Sequence, residues 1–183
     1  MPEKQCLGYQ IAIDPGSVKM GLAVFDSCGK YIQSVTLRAD KLAPAGARLN
    51  LIRVKFLEYW KENFQNQPIR VTVIERLPPS QPRPSLPISP GAVVAVEFNY
   101  STLSEEAHIP VMSWKHLARE LGCDDKDPKG VGIFEKIGWD FKYPGSEDEA
   151  DATMIFLCYY WNVYGYCWLG ENKKAVKREI AND

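Results

Sequence analysis

Four carboxylates in this chain sit where an acid is costly unless it has a chemical partner: Asp14, Glu75, Asp148 and Asp151. Asp14 ends the short apolar run Tyr-Gln-Ile-Ala-Ile-Asp at residues 9–14, and Glu75 ends Arg-Val-Thr-Val-Ile-Glu at 70–75. Each follows apolar β residues and precedes a turn or proline-rich sequence. Both side chains should therefore emerge at the carboxyl edge of a sheet, where open α/β sheets bind ligands. Taken alone, Asp14 before Pro15-Gly16 also suits an Asx turn, and Glu75 also suits an ion pair with Arg76. The third acidic stretch, Ser146-Glu147-Asp148-Glu149-Ala150-Asp151, divides by role. Ser146 and Glu149 spell a capping box, and Glu147 suits the positive end of a helix dipole. Asp148 and Asp151 remain, three apart on one helix face that continues into Ile155 and Cys158. A plain acidic helix start would account for them. On a face turned toward a core, however, two aspartates need a partner, and a divalent cation is the economical one.

As a set, two strand-end acids and a helix pair can bracket one pocket with hard oxygen ligands for Mg²⁺. Two such ions about 3.5–4 Å apart clamp the attacking water and leaving oxygen in phosphodiester hydrolysis. Other chemistries lack their residues. His108 and His116 are too few and too poorly placed for a zinc site. Neither a P-loop nor a Gly-x-Gly-x-x-Gly helix start occurs, and no serine or cysteine nucleophile carries a recognisable signature.

The elements that must position these acids follow from periodicity. Residues 9–14, 20–26 and 31–38 read as a three-strand meander with hairpin-length connections. From Ala45 to about Asn66 the period changes, with Leu49, Ile52, Phe56, Trp60 and Phe64 marking an amphipathic helix. A strand at 70–75 follows. Six prolines between Leu77 and Pro90 then exclude helix or central strand. Helix is expected at 91–107, strand at 109–114, and short helices at 115–121 and 132–137. The last helix starts near Ser146 and runs toward Leu169. Its apolar part, 153–169, is shorter than the roughly 20 residues a bilayer span needs. The order predicts an α/β fold with a mixed five-stranded sheet flanked by helices on both faces.

The bulk properties bound the class. The chain has 183 residues, 45% of them hydrophobic and 25% charged, with a formal net charge of −1. This suits one globular domain over 1–183, ending in a charged tail from about 171. Five scattered cysteines without a Cys-x-x-Cys pair suit reduced thiols, and the N-terminus lacks a signal-peptide apolar region, so a cytoplasmic location is expected. Near-neutral charge hides an asymmetry. Residues 1–90 carry 12 Lys and Arg against 7 Asp and Glu, whereas residues 91–183 carry 10 against 16.

Together these residues resemble the RuvC family of Holliday junction resolvases, within the RNase H-like nucleases. The resemblance is carried by Ile11-Ala-Ile-Asp14-Pro-Gly16 with Gly21-Leu-Ala-Val24, by Val73-Ile-Glu75, and by Asp148-Glu-Ala-Asp151-Ala152. Order and spacing match over roughly residues 9–162. The resemblance implies an RNase H-like fold with Asp14, Glu75, Asp148 and Asp151 as catalytic metal ligands for Mg²⁺, with Mn²⁺ as a substitute. It places Lys129, or else Lys126, near the scissile phosphate. It also implies a homodimer cutting opposite strands of a four-way DNA junction in recombination and repair, leaving 5′-phosphate ends. The apolar segment 91–100 and the run Tyr159-Tyr160-Trp161 offer further material for a dimer face. Expected DNA contacts are Lys19, Arg76, Arg83, Lys126 and Lys129, with Lys173, Lys174, Lys177 and Arg178 in the tail. These would read phosphates and shape more than bases.

The sequence departs from the family after Glu75. There the usual junction-opening wedge is replaced by the proline-rich stretch, which holds only Leu77, Leu86 and Ile88 as bulky apolar residues. Residues 14–26, with Lys19 and Gly21, also resemble YqgF-type proteins, so an RNA-processing nuclease of the same fold is one rival. A catalytically degenerate branched-DNA-binding module is another. An actin-like ATPase shares the strand-turn at 14–21 but normally needs two such domains.

Overall fold

Short β-branched runs broken by turn residues form the central sheet, and side-chain alternation along them decides what each face receives. The computed structural model describes residues 8–76, 104–121, 146–167 and 176–177. Strands β1 (Tyr9–Asp14), β2 (Lys19–Phe25) and β3 (Tyr31–Arg38) make the expected meander. Helix α1 (Ala45–Phe64) leads into β4 (Ile69–Arg76). Strand β5 (Glu105–Pro110) runs directly into α2 (Val111–Glu120), and α3 (Glu147–Tyr164) completes the main body. The sheet order is β3-β2-β1-β4-β5. The meander pairs antiparallel, while β1, β4 and β5 run parallel. A minor two-stranded ribbon joins β6 (Tyr166–Cys167) to β7 (Val176–Lys177).

Two cores form, one on each side of this sheet. Ile11, Ile13, Met20, Leu22 and Val24 pack on one side with Ile52, Phe56, Trp60 and Phe64 of α1. Ala12, Ala23, Phe25 and Val73 pack on the other side with α2 and α3. Successive strand residues point to opposite faces, so Asp14, Gly21 and Glu75 all fall on the α3 side. Helix α3 is buried almost all round from Ala150 to Trp161, which explains its apolar composition. No described helix is long and apolar enough to cross a membrane.

Three expected boundaries move. The segment 105–107, read as the end of a helix, is strand, because pairing of Glu105 to Pro110 along β4 overrides its helical composition. The strand expected at 109–114 therefore ends at Pro110, and Trp114 is helical. The last helix stops at Tyr164 instead of reaching Leu169, because Gly165 takes a left-handed conformation (φ 71°) whose N–H bonds back to Trp161. The aromatic run 159–161 is also corrected: all three side chains are at most 7% exposed within this chain, so they offer no free face to a second copy. The first part of the helix expected at 91–107, up to residue 103, the helix expected at 132–137 and the proline-rich stretch 77–90 lie outside the described residues.

Candidate active site

The four acids come from three elements that meet at one end of the sheet. Asp14 is the last residue of β1, and its neighbour Ile13 is in register with Ile74, which places Glu75 beside it at the end of β4. Across β1 on the other side, Asp14 pairs with Gly21 of β2. That glycine decides how close α3 can come. A Cβ on Gly21 would lie 1.9 Å from the backbone oxygen of Asp148. Helix α3 thus rests its first turn directly on the strand opposite Asp14. A second close approach shapes the turn after β1, where a Cβ on Gly16 would lie 1.9 Å from the carbonyl oxygen of Lys19.

The start of α3 is fixed by a polar network. Ser146 caps it, accepting from the Glu149 N–H at 3.3 Å and donating to Glu149 Oε1 at 3.2 Å. Ser34 and Thr36, on the α3 side of β3, donate to the two oxygens of Glu149 at 2.8 and 3.0 Å. Thr36 also bonds the Ser146 hydroxyl. Ser146 caps the helix as expected from sequence, its hydroxyl bonding both the N–H and the carboxylate of Glu149, and that glutamate additionally ties the helix to the sheet. With Glu149 held this way, Asp148 and Asp151 on either side of it are held toward Asp14.

The acids act on one another's ionisation. Burial lifts the Asp14 carboxyl from its ordinary value to about 8, and repulsion from Glu75, Asp151, Asp148 and Glu147, in that order, adds to the rise. Glu75 is also raised by burial, opposed by a hydrogen bond from Trp114 and by the positive charge of Lys115. Lys19 lies 3.9 Å from Asp148. Among the described residues, no group of three or more His, Cys, Asp or Glu side chains is arranged, as it stands, to hold a metal ion. The acids converge electrostatically without closing into a coordination shell. Their chemistry nonetheless fits a hard divalent cation: the donors are carboxylate oxygens, and a positive partner would let Asp14 carry its charge below pH 8 among the neighbouring acids.

Likeness to solved structures settles the fold. A structure of Thermus thermophilus RuvC superposes with a TM-score of 0.59 at 16% identity, covering 84% of this chain and 95% of that one. The chain has a RuvC-like fold. Thermus thermophilus RuvC in complex with a Holliday junction substrate matches at 0.58, with 16% identity and coverage of 84% and 94%. A fowlpox virus Holliday junction resolvase matches at 0.45 and 13% identity over 84% and 98% of the two chains. At the level of sequence, no family and no curated protein matches.

Within the RuvC-like fold, Asp14, Glu75, Asp148 and Asp151 lie at one sheet end and Lys19 lies beside them. Arg76 is exposed, one residue past Glu75 and therefore on the opposite side of the strand. Arg83, Lys126 and Lys129 lie outside the described residues, as do Lys173, Lys174 and Arg178. Two contributors were not anticipated from sequence, Trp114 and the Ser34–Thr36 pair. The only signal for Trp114 was generic, namely that a buried indole N–H must find an acceptor. His108 and His116 pair with Glu106 and Glu120, away from the four acids.

Proposed function

We infer that this chain is a Mg²⁺-dependent, structure-selective endodeoxyribonuclease that cuts four-way DNA junctions, acting as a homodimer on opposite strands. One observation carries the reading. Half-buried Asp14 ends its strand beside Glu75 and opposite Gly21, on which the first turn of α3 rests, so that Glu75, Asp151, Asp148 and Glu147 all oppose its ionisation. Such an arrangement is unfavourable in a purely structural site and favourable around a divalent cation. Asp14, Glu75, Asp148 and Asp151 would hold the cation. When bound, it supplies positive charge for the developing phosphorane oxygens and a more acidic water at neutral pH. Asp14 and Glu75, on a rigid parallel strand pair, keep two ligands fixed, while α3 brings the other two. Lys19 at the rim would contact the phosphate backbone. Lys126 or Lys129 would approach the scissile phosphate. Selectivity for junctions would come from backbone geometry and phosphate contacts.

The test is incubation of the full chain with a synthetic four-way junction, in Mg²⁺ and in EDTA. Paired, symmetric nicks that ligase reseals, present only with the cation, are expected. Tight junction binding without cleavage would overturn the nuclease reading in favour of a binding module. Preferential cleavage of an RNA duplex would move the substrate to RNA.

A further inference from the structure

Trp114 stands apart among the groups around the site, because it is an apolar core residue with one polar atom directed at an acid. It lies four residues past the end of β5, in the first turns of α2, and is 3% exposed. Its ring packs in the same core as Leu117, Ala118 and Ile155. Its Nε1–H donates to Glu75 Oε1 at 2.8 Å. The backbone explains how it gets there. Glu75 is in register with Ile109 on β5, and α2 begins only two residues later, so its first turns fold back over the end of β4. The Lys115 ammonium lies 5.5 Å from the Trp114 ring centroid.

The geometry points to Trp114 as a positioning residue for Glu75: its indole N–H occupies one carboxylate oxygen and fixes the rotamer, presenting Oε2 to the cation. This rests on the four-acid site proposed above. A packed ring cannot follow its acceptor, so Glu75 can leave this rotamer only by orphaning a buried N–H. An unanchored glutamate at a strand end has three rotatable bonds, whereas the anchored one is held before the cation arrives. Partners of this kind, one bond removed from the metal, typically change metal affinity by about 10–100-fold when removed.

The experiment is a Mn²⁺ titration of the full chain by calorimetry, on wild type, Trp114→Phe, Glu75→Gln and the double variant. Phenylalanine keeps an aromatic ring and removes the donor. A second variant carrying benzothienylalanine at 114, with sulfur in place of the N–H, keeps the full ring size should phenylalanine pack poorly. Both are expected to weaken Mn²⁺ binding about tenfold in the wild-type background. Neither should weaken it further beside Glu75→Gln, whereas a purely structural role would act in both backgrounds. Unchanged affinity in both donor-less variants would overturn the assignment and leave the nuclease reading intact. Wild-type protein that binds Mn²⁺ but cuts no junction would fail the nuclease reading while the role of Trp114 stood. Wild-type protein that binds no Mn²⁺ would overturn both.

Discussion

Gly21 and Asp148 touch backbone to backbone: the space where a Cβ of residue 21 would lie is 1.9 Å from the Asp148 carbonyl oxygen. Since Gly21 pairs with Asp14, one missing side chain sets the distance between the strand acid and both helix acids. Neither backbone can yield locally, because Gly21 is paired on both sides within the sheet and Asp148 is in the first turn of a capped helix.

Gly21→Ala should therefore push α3 outward. A loss of about 1–3 kcal/mol in unfolding free energy is expected from overpacking. Cleavage should fall by about 10²-fold, since a misplacement of roughly 1 Å in a positioned site has that effect. Urea unfolding and junction cleavage measure the two. Gly46→Ala is the control: nothing lies near a Cβ there, and Gly46 is exposed in the first turn of α1, so stability should hold or rise slightly. Equal behaviour of the two variants would show that α3 does not rest on Gly21.

The pH dependence of stability follows from Asp14. Its folded pKa is about 8 against an ordinary value of 3.8, so the folded state binds a proton that the unfolded state has released. That contribution is complete below about pH 4 and disappears as pH rises through 8. In EDTA the melting temperature should fall between pH 5 and 8. Asp14→Asn should remove most of this slope, leaving a smaller part of the same sign from Glu75. Mg²⁺ should raise the wild-type melting temperature more at pH 8 than at pH 5, since cation and proton compete for the same oxygens. A flat profile in EDTA would contradict the close packing of the acids.

Much of this site was legible before any fold was known, and the reason is local. Asp14 and Glu75 each terminate an apolar alternating run, so their place at strand ends needs only period-two reasoning. Ser146 and Glu149 announce the helix start by a fixed spacing. What could not be read depends on pairing between distant segments. The strand at 105–110 has two glutamates and a histidine among its six residues, and only its ladder with β4 makes it strand. Trp114 reads as strand in sequence for the same reason, and its bond to Glu75 spans 39 positions. The tie from Ser34 and Thr36 to Glu149 spans more than a hundred.

Glu149 should matter to stability and to catalysis through different bonds. Glu149→Ala removes the carboxylate that accepts from the hydroxyls of Ser146, Ser34 and Thr36. A loss of about 1–3 kcal/mol is expected, larger than a simple exposed cap, because the hydroxyls are partly buried. Ser146→Ala should cost about 1 kcal/mol as a lost N-cap. Both are read from chemical unfolding midpoints at constant slope. Glu149→Ala should also weaken Mg²⁺ activation, since the acids at 148 and 151 flank it. An unaltered metal dependence would mean that the sheet-to-helix tie does not orient them.

Lys19 separates a stability role from a binding role. Its ion pair with Asp148 is long, at 3.9 Å, and the lysine side chain is half exposed. Such pairs contribute little, so Lys19→Gln should change unfolding free energy by no more than about 0.5 kcal/mol. If Lys19 contacts a DNA phosphate, the same variant should weaken junction binding at low salt and lower the slope of log affinity against log salt by about 1. Because phosphate contacts carry no base information, the loss should be equal for junctions of different arm sequence. Gel-shift titrations across a salt series in Ca²⁺ or EDTA, where cleavage does not interfere, measure it. An unchanged salt slope would leave Lys19 as a surface partner of Asp148 alone.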